Sequence, residues 1–258
     1  STIPAAPSKE LYLVSDTVAG PGNSNVYAPK YYNGKIYYSA TTPETGREVF
    51  VYDGTSTQLL TDLNPGPGDG VYDSNGVIGA YGGKLLILGN NGSTGLELYV
   101  YDGTTVSLLL ETRSGSNSGR PNNFVEYNGK LFFASSVDSD GQDYGFVWDY
   151  TSAPQLLSAA YPGFNRQYFS NPIVVNGNLY FSSRIIGQAP KLTKFDGTTF
   201  TEIALTGSNF SQSGMFGNKL VYSASQTGYG TEPWIYDGTV DTMIADIEAG
   251  TGSGTPAQ

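Results

Sequence analysis

Three pairs of acids recur at one spacing in this chain: Glu48 and Asp62, Glu97 and Glu111, Glu232 and Asp246, each 14 residues apart. Each pair straddles an Asp-Gly-Thr triplet. Asp-Gly supplies the positive φ that a tight hairpin demands, so the turn folds the two acids toward each other. Like charges so placed repel and call for a cation, a basic neighbour or water. Calcium suits such oxygen clusters. The plainer alternative is that the second acid of each pair accepts backbone N–H groups from the loop that follows it. A further set, Asp138, Asp140 and Asp143 in "DSDGQD", alternates acids around a glycine as calcium loops do at their start, but lacks the later bidentate glutamate. Calcium at Asp138, Asp140 and Asp143, or at Glu48 with Asp62, is the one cofactor the sequence brings forward, and each of these segments also reads as an ordinary polar turn.

Aromatic residues offer a second chemistry. Rings stack on the apolar face of a pyranose while a few polar groups fix its orientation. Tyr72, Tyr161, Phe164, Arg166, Tyr168 and Tyr229 fall in segments expected to be loops, and residues 159–169 ("AAYPGFNRQYF") are the densest of these. The alternative for any one of these rings is packing inside the fold.

Other chemistries are excluded by composition. The 258 residues contain neither Cys nor His, which removes disulfides, thiol nucleophiles, Ser-His-Asp triads and the usual zinc ligands. The formal charge is −10 with only 13 Lys and Arg, none clustered, so nucleic acid is not an expected partner. No apolar run approaches the roughly 20 residues that span a bilayer, so no membrane insertion is expected. The Ser/Thr/Asn/Gly/Tyr-rich, cysteine-free, acidic make-up suits an extracellular or bacterial cell-surface protein. The opening "STIPAAPSK" reads as a linker or processing site.

The elements that must position these residues are written in a repeat. Asp53, Asp102, Asp149, Asp196 and Asp237 follow one another at 49, 47, 47 and 41 residues. A second marker keeps the rhythm: "YNGK" at Tyr32, "YGGK" at Tyr81, "YNGK" at Tyr127, "VNGN" at Val175 and "FGNK" at Phe216. Five units of this period predict an all-β, five-bladed β-propeller with four antiparallel strands per blade, as one domain over 1–258. The units run approximately over 26–66, 77–115, 123–163, 172–206 and 214–250. Strand 1 precedes the Asn-Gly-type turn ("NNFVEY"), strand 2 follows it ("KLFFASS"), strand 3 is the "ELYVY" segment, and strand 4 is "QLLTDL", "SLLLET", "QLLSAA", "TEIALT" or "TMIADI". The long strand-4-to-strand-1 links place strand 1 innermost, tight turns on one face and all long connections on the other, where function is expected. Residues 10–22 ("ELYLVSDTVAGPG") add a sixth copy of strand 4 and its crossing, either a closure or a linker.

"EVFVYDGT", "ELYVYDGT" and "EPWIYDGT" resemble the bacterial ELWxxDGT repeat, found in large secreted and surface-associated proteins, and "NGKLFFASS", "TGREVF" and "DLNPGPGDG" are similar to its usual flanks. Unit 3 departs with Tyr144 at the Glu position and Tyr150 at the Gly position, and unit 4 with Lys191 at the Glu position. The resemblance implies an interaction module with no general catalytic activity. The expected function is therefore a non-catalytic, monomeric extracellular module that binds a glycan or surface polymer in adhesion, with an architectural module contacting a neighbouring protein module as the alternative. A propeller glycosidase is disfavoured, because such sites need two or three acids roughly 5–9 Å apart at the centre, and the expected innermost strands supply only Glu126.

Overall fold

The computed structural model describes residues 22–72, 76–138 and 141–250, together with Thr17 and Gly252. Its strands form five four-stranded antiparallel sheets, each a meander in chain order. Blade 1 holds β1 (Tyr27–Tyr32), β2 (Lys35–Thr42), β3 (Gly46–Tyr52) and β4 (Thr57–Leu59). Blade 2 holds β5 (Val77–Tyr81), β6 (Lys84–Gly89), β7 (Glu97–Tyr101) and β8 (Val106–Leu110). Blade 3 holds β9 (Asn122–Tyr127), β10 (Lys130–Ser136), β11 (Asp143–Trp148) and β12 (Gln155–Leu156), and its chain then enters the short helix α1 (Leu157–Ala160). Blade 4 holds β13 (Gln167–Val175), β14 (Asn178–Arg184), β15 (Lys191–Phe195) and β16 (Phe200–Ile203). Blade 5 holds β17 (Ser208–Phe216), β18 (Lys219–Gln226), β19 (Gly230–Tyr236) and β20 (Asp241–Met243). The protein is a five-bladed β-propeller.

Turn chemistry sets these boundaries. Asn33 and Gly34, Asn128 and Gly129, and Asn176 and Gly177 all take positive φ, the conformation of a two-residue hairpin whose twist matches its strands. In the outer hairpins one aspartate Oδ1 accepts two backbone N–H groups, as Asp53 does from Thr55 at 2.9 Å and Ser56 at 2.8 Å. Asp102, Asp149, Asp196 and Asp237 repeat that pattern. Unit 3 lacks the turn glycine. Tyr150 takes φ +67 in its place, and its hydroxyl donates to Glu126 Oε1 at 2.5 Å.

The first strands of successive blades approach one another, β1 with β5, β9 with β13 and β13 with β17, so strand 1 lies innermost. Blades stack through apolar clusters. Tyr37 and Val49 meet Leu85 and Ile87, and Leu86 and Leu98 meet Leu131 and Phe133. Phe132 and Val147 meet Phe181 and Phe195, and Tyr180 and Leu192 meet Tyr222 and Trp234. Among the described residues no such cluster joins blade 5 to blade 1. Tyr38, Ala40 and Phe50 of blade 1 form their own, and Tyr38 meets Thr17 Oγ1 through its hydroxyl at 3.2 Å.

One expectation resolves differently, and one open alternative is narrowed. The "QLLSAA" segment is a strand only through Leu156 and continues as α1, because Leu157 turns in to fill the space beside Gly145, where an added Cβ would collide with it. The fourth strand of blade 5 is the C-terminal copy, β20; the copy at residues 10–22 lies outside the described residues except for Thr17 and Gly22.

Candidate functional site

The recurring glutamates are structural anchors, not a charge pair. Glu48, Glu97 and Glu232 are each fully buried, while Asp62, Glu111 and Asp246 point to solvent. Glu48 accepts hydrogen bonds from Thr61 Oγ1 at 2.6 Å and Leu63 N at 3.0 Å. Glu97 accepts from Thr112 N at 3.0 Å and Gly119 N at 2.8 Å, and Glu232 from Ile247 N at 3.0 Å. The strand-3 acid therefore caps the crossing, a role the sequence reading gave to the strand-4 acid. Strand 3 is covered on both faces and strand 4 is outermost, so only the former meets the loop's N–H groups out of water. Burial pushes the Glu48 and Glu97 carboxyls above the ordinary carboxylate value, with the accepted hydrogen bonds opposing that rise.

The described calcium candidates are held separately. Asp138 accepts from Ser114 N and Oγ at 2.9 and 2.6 Å, and those bonds hold its carboxyl below the ordinary value. Asp143 accepts from Ser136 Oγ at 2.5 Å, and Asp140 lies outside the described residues. Glu48 is committed to its crossing and Asp62 faces water. Among the described residues no three acids gather into a metal-sized group.

The loop at residues 159–169 also differs from expectation. Phe164 is buried between blades 3 and 4 with Phe169 and Phe181, so it is core and not a ligand contact. Tyr161 packs edge-on to Phe195 at 5.0 Å and Phe200 at 5.4 Å with Lys130 over its ring, near the tight-turn ends of the strands and away from the long-loop face. Arg166 is paired with Glu202. Tyr168 takes φ +64 and stacks under Arg184 at 3.8 Å, within a contact set completed by Gln142. Tyr229 is exposed in the β18–β19 loop of blade 5, apart from the others.

Tyr161 lines a small cavity of about 150 Å³ at the tight-turn end of blade 3, whereas Tyr72 borders the larger open space on the long-loop face. Tyr72 is 45% exposed, yet its backbone is fixed: Val71 bridges Gly89, and Tyr72 N donates to Leu88 O at 3.3 Å. A cavity of about 250 Å³ is lined by Tyr72, Leu88, Leu96, Arg120, Pro121 and Asn122. It adjoins a second of about 280 Å³ that shares Leu88, Pro121 and Asn122 and runs inward between β5 and β9, past Ile78 and Phe124. Together they form a groove between blades 2 and 3 on the long-loop face, with an aromatic wall, apolar floor and polar rim.

Glu97 builds one side of this groove. Its carboxylate holds Gly119 N, and Gly119 is packed so closely that an added Cβ would strike Thr112 and Glu97. Gly119 O receives Ser136 N at 2.8 Å, and Arg120 N donates to Leu96 O at 3.1 Å. Arg120 sits at φ +51, its carbonyl accepts Asn122 Nδ2 at 2.9 Å, and Pro121 behind it is buried. The sequence reading missed Arg120 and Asn122. Aligning the crossings on Gly70 and Gly119 would have exposed the signal, since Arg120-Pro121 stands where blade 1 has Val71-Tyr72.

No protein-family model matches the chain, and no curated protein sequence matches it. Among solved structures the chain is similar to a crystal structure of puromycin hydrolase, at 14% identity and TM-score 0.51 over 87% of this chain and 39% of that one. It thus spans about two fifths of that protein's length. Similarity extends to the β-propeller domain of the Trilobed protease from Pyrococcus furiosus (12% identity, TM-score 0.49, 88% of this chain and 73% of that one). A six-bladed Aleuria aurantia lectin is also similar (15% identity, TM-score 0.39, 90% and 80%). The puromycin hydrolase likeness agrees with the propeller fold.

Proposed function

We propose that this protein is a non-catalytic carbohydrate-binding module of a bacterial secreted or surface protein of the ELWxxDGT-repeat type. The observation that carries the reading is the groove between blades 2 and 3. An exposed tyrosine on a hydrogen-bonded backbone lines it together with Leu88, Leu96 and Pro121, and Arg120 and Asn122 stand at the rim. Such a groove suits one or two pyranose rings, which stack on tyrosine and take orienting hydrogen bonds from the rim. Glu126, the acid of the innermost strands, accepts Tyr150 Oη at 2.5 Å and Gly82 N at 3.0 Å and serves as an anchor in this account. A glycan array and polysaccharide pull-downs with the full chain test the proposal. Specific retention that is lost in Tyr72→Ala supports it; equal retention by wild type and Tyr72→Ala rejects the groove.

A second reading, an architectural module that stacks on a neighbouring module, is favoured by blade 5. Leu60 and Leu63 after blade 1 pack against blade 2. Their counterparts Ile244 and Ile247 keep the same backbone bonds, Ile244 N to Pro233 O at 2.8 Å and Ile247 N to Glu232 Oε2 at 3.0 Å, yet are 54% and 60% exposed. Silence across the glycan panel, together with concentration-dependent self-association that Ile247→Asp abolishes, would select this reading.

A further inference from the structure

Arg120 stands apart from the other arginines of the chain. Arg47 donates to Asn25 O at 3.0 Å and lies over Tyr27, Arg113 faces Asp138 at 3.9 Å, Arg166 pairs with Glu202, and Arg184 donates to Gln142 Oε1 at 3.1 Å. The Arg120 guanidinium makes no hydrogen bond or ion pair among the described residues. Its backbone is nevertheless among the most constrained in the crossings: a left-handed φ of +51, a donor bond to Leu96, an acceptor bond from Asn122, and a buried proline next in the chain. A side chain in this region of φ costs about 1–3 kcal/mol relative to a relaxed conformation. Glycine would remove that cost but would also remove the cation. The constrained backbone thus sets Arg120 in the wall of the cavity that Tyr72 also lines, with its guanidinium free among the described residues.

Resting on the glycan reading of this groove, we infer that its ligand is a pyranose bearing a carboxylate, a uronic-acid residue, whose acid group is taken by Arg120 while its ring lies on Tyr72. A guanidinium is a planar fork of N–H donors that matches a carboxylate with two parallel hydrogen bonds. Asn122 lines both adjoining cavities and can bond a ring hydroxyl. The chain's charge of −10 limits the ligand further. A single guanidinium in this groove of a strongly acidic protein selects a mostly neutral glycan carrying an isolated acidic sugar, because a dense polyanion would be repelled by the rest of the surface.

The test compares three probes on the intact chain by calorimetry: an otherwise neutral trisaccharide ending in glucuronate, the same trisaccharide ending in glucose, and the same ending in glucose 6-sulfate. The glucuronate form should bind most tightly, and Arg120→Gln should weaken it by roughly 10- to 100-fold while weakening the glucose form several-fold at most. Arg120→Lys should recover part of the loss, and added salt should weaken the glucuronate form but not the glucose form. Equal affinity for the glucuronate and glucose forms, or an Arg120→Gln variant that binds glucuronate normally, overturns the inference and leaves the glycan reading standing. Preference for the sulfate ester overturns the carboxylate assignment. Failure of all three probes and of the glycan panel overturns both.

Discussion

Two inter-blade clefts lie next to each other, and their crossings treat them in opposite ways. Between blades 3 and 4 the crossing carries its own aromatic filling: Phe164 and Phe169 are buried against Phe181, and Phe164 packs at a tilt on Phe200 with ring centroids 4.5 Å apart. Between blades 2 and 3 the crossing is built of small polar residues, "RSGSNSG", and the cleft stays open behind Tyr72. The strand-3 residue explains the contrast. Where Glu97 caps the crossing with accepted hydrogen bonds, the loop is held without burying rings. Blade 3 has Tyr144 at that position, bonded to Gln167, and its crossing is anchored by apolar burial instead. A loop dense in rings is thus the sign of a cleft already filled, and the open cleft belongs to the polar crossing.

The largest effect should come from the filled cleft. Phe164→Ala removes a buried ring and should cost about 3 kcal/mol of stability in urea unfolding, while glycan retention by the folded fraction persists. Glu97→Gln should come next, at about 2 kcal/mol, because the amide turns an N–H toward donors that the carboxylate now satisfies. Unlike Phe164→Ala, it should also weaken glycan retention, since Gly119 and Arg120 lose their anchor.

Acid titration sharpens the same contrast. Burial raises the folded-state pKa of Glu97 and Glu48 above the ordinary 4.5. The unfolded chain then binds fewer protons than the folded one in the window just above 4.5, so stability falls as pH rises through it. Wild-type stability should therefore increase as pH is lowered from 7 toward 5, and Glu97→Gln should show a smaller increase. The hairpin aspartates act in the opposite sense. Backbone N–H groups lower Asp196 and Asp237 from 3.8 to about 2, so their contribution is present above 3.8 and is lost as pH falls toward 2. A wild-type profile that declines steadily from pH 7 to 5 would contradict the buried-glutamate account. The smallest effects belong to the exposed acids: Asp62→Asn and Glu111→Gln should each change stability by less than about 0.5 kcal/mol, with no response to added calcium in thermal melts.

The fold was legible because its signals are local. Asp-Gly and Asn-Gly turns, and strands of matching length between them, recur in sequence whether or not their surroundings are known. The partners of the recurring glutamates were not legible, because burial on both faces of strand 3 depends on neighbouring blades that the sequence does not show directly. The groove was harder still. Tyr72 and Arg120 belong to successive crossings and meet only after two blades stack, and the free guanidinium of Arg120 becomes informative only once the other arginines are seen to be engaged. Ring density, the signal that was available, led to Phe164 and Tyr161, which the structure uses for packing.

Amide hydrogen exchange of the full chain, with and without a glycan retained on the array, measures most directly where binding occurs. The groove account predicts slowed exchange in residues 70–72 and 118–123, with residues 159–169 unchanged. Protection confined to residues 159–169, with the blade 2 and blade 3 crossings unaffected, would contradict it.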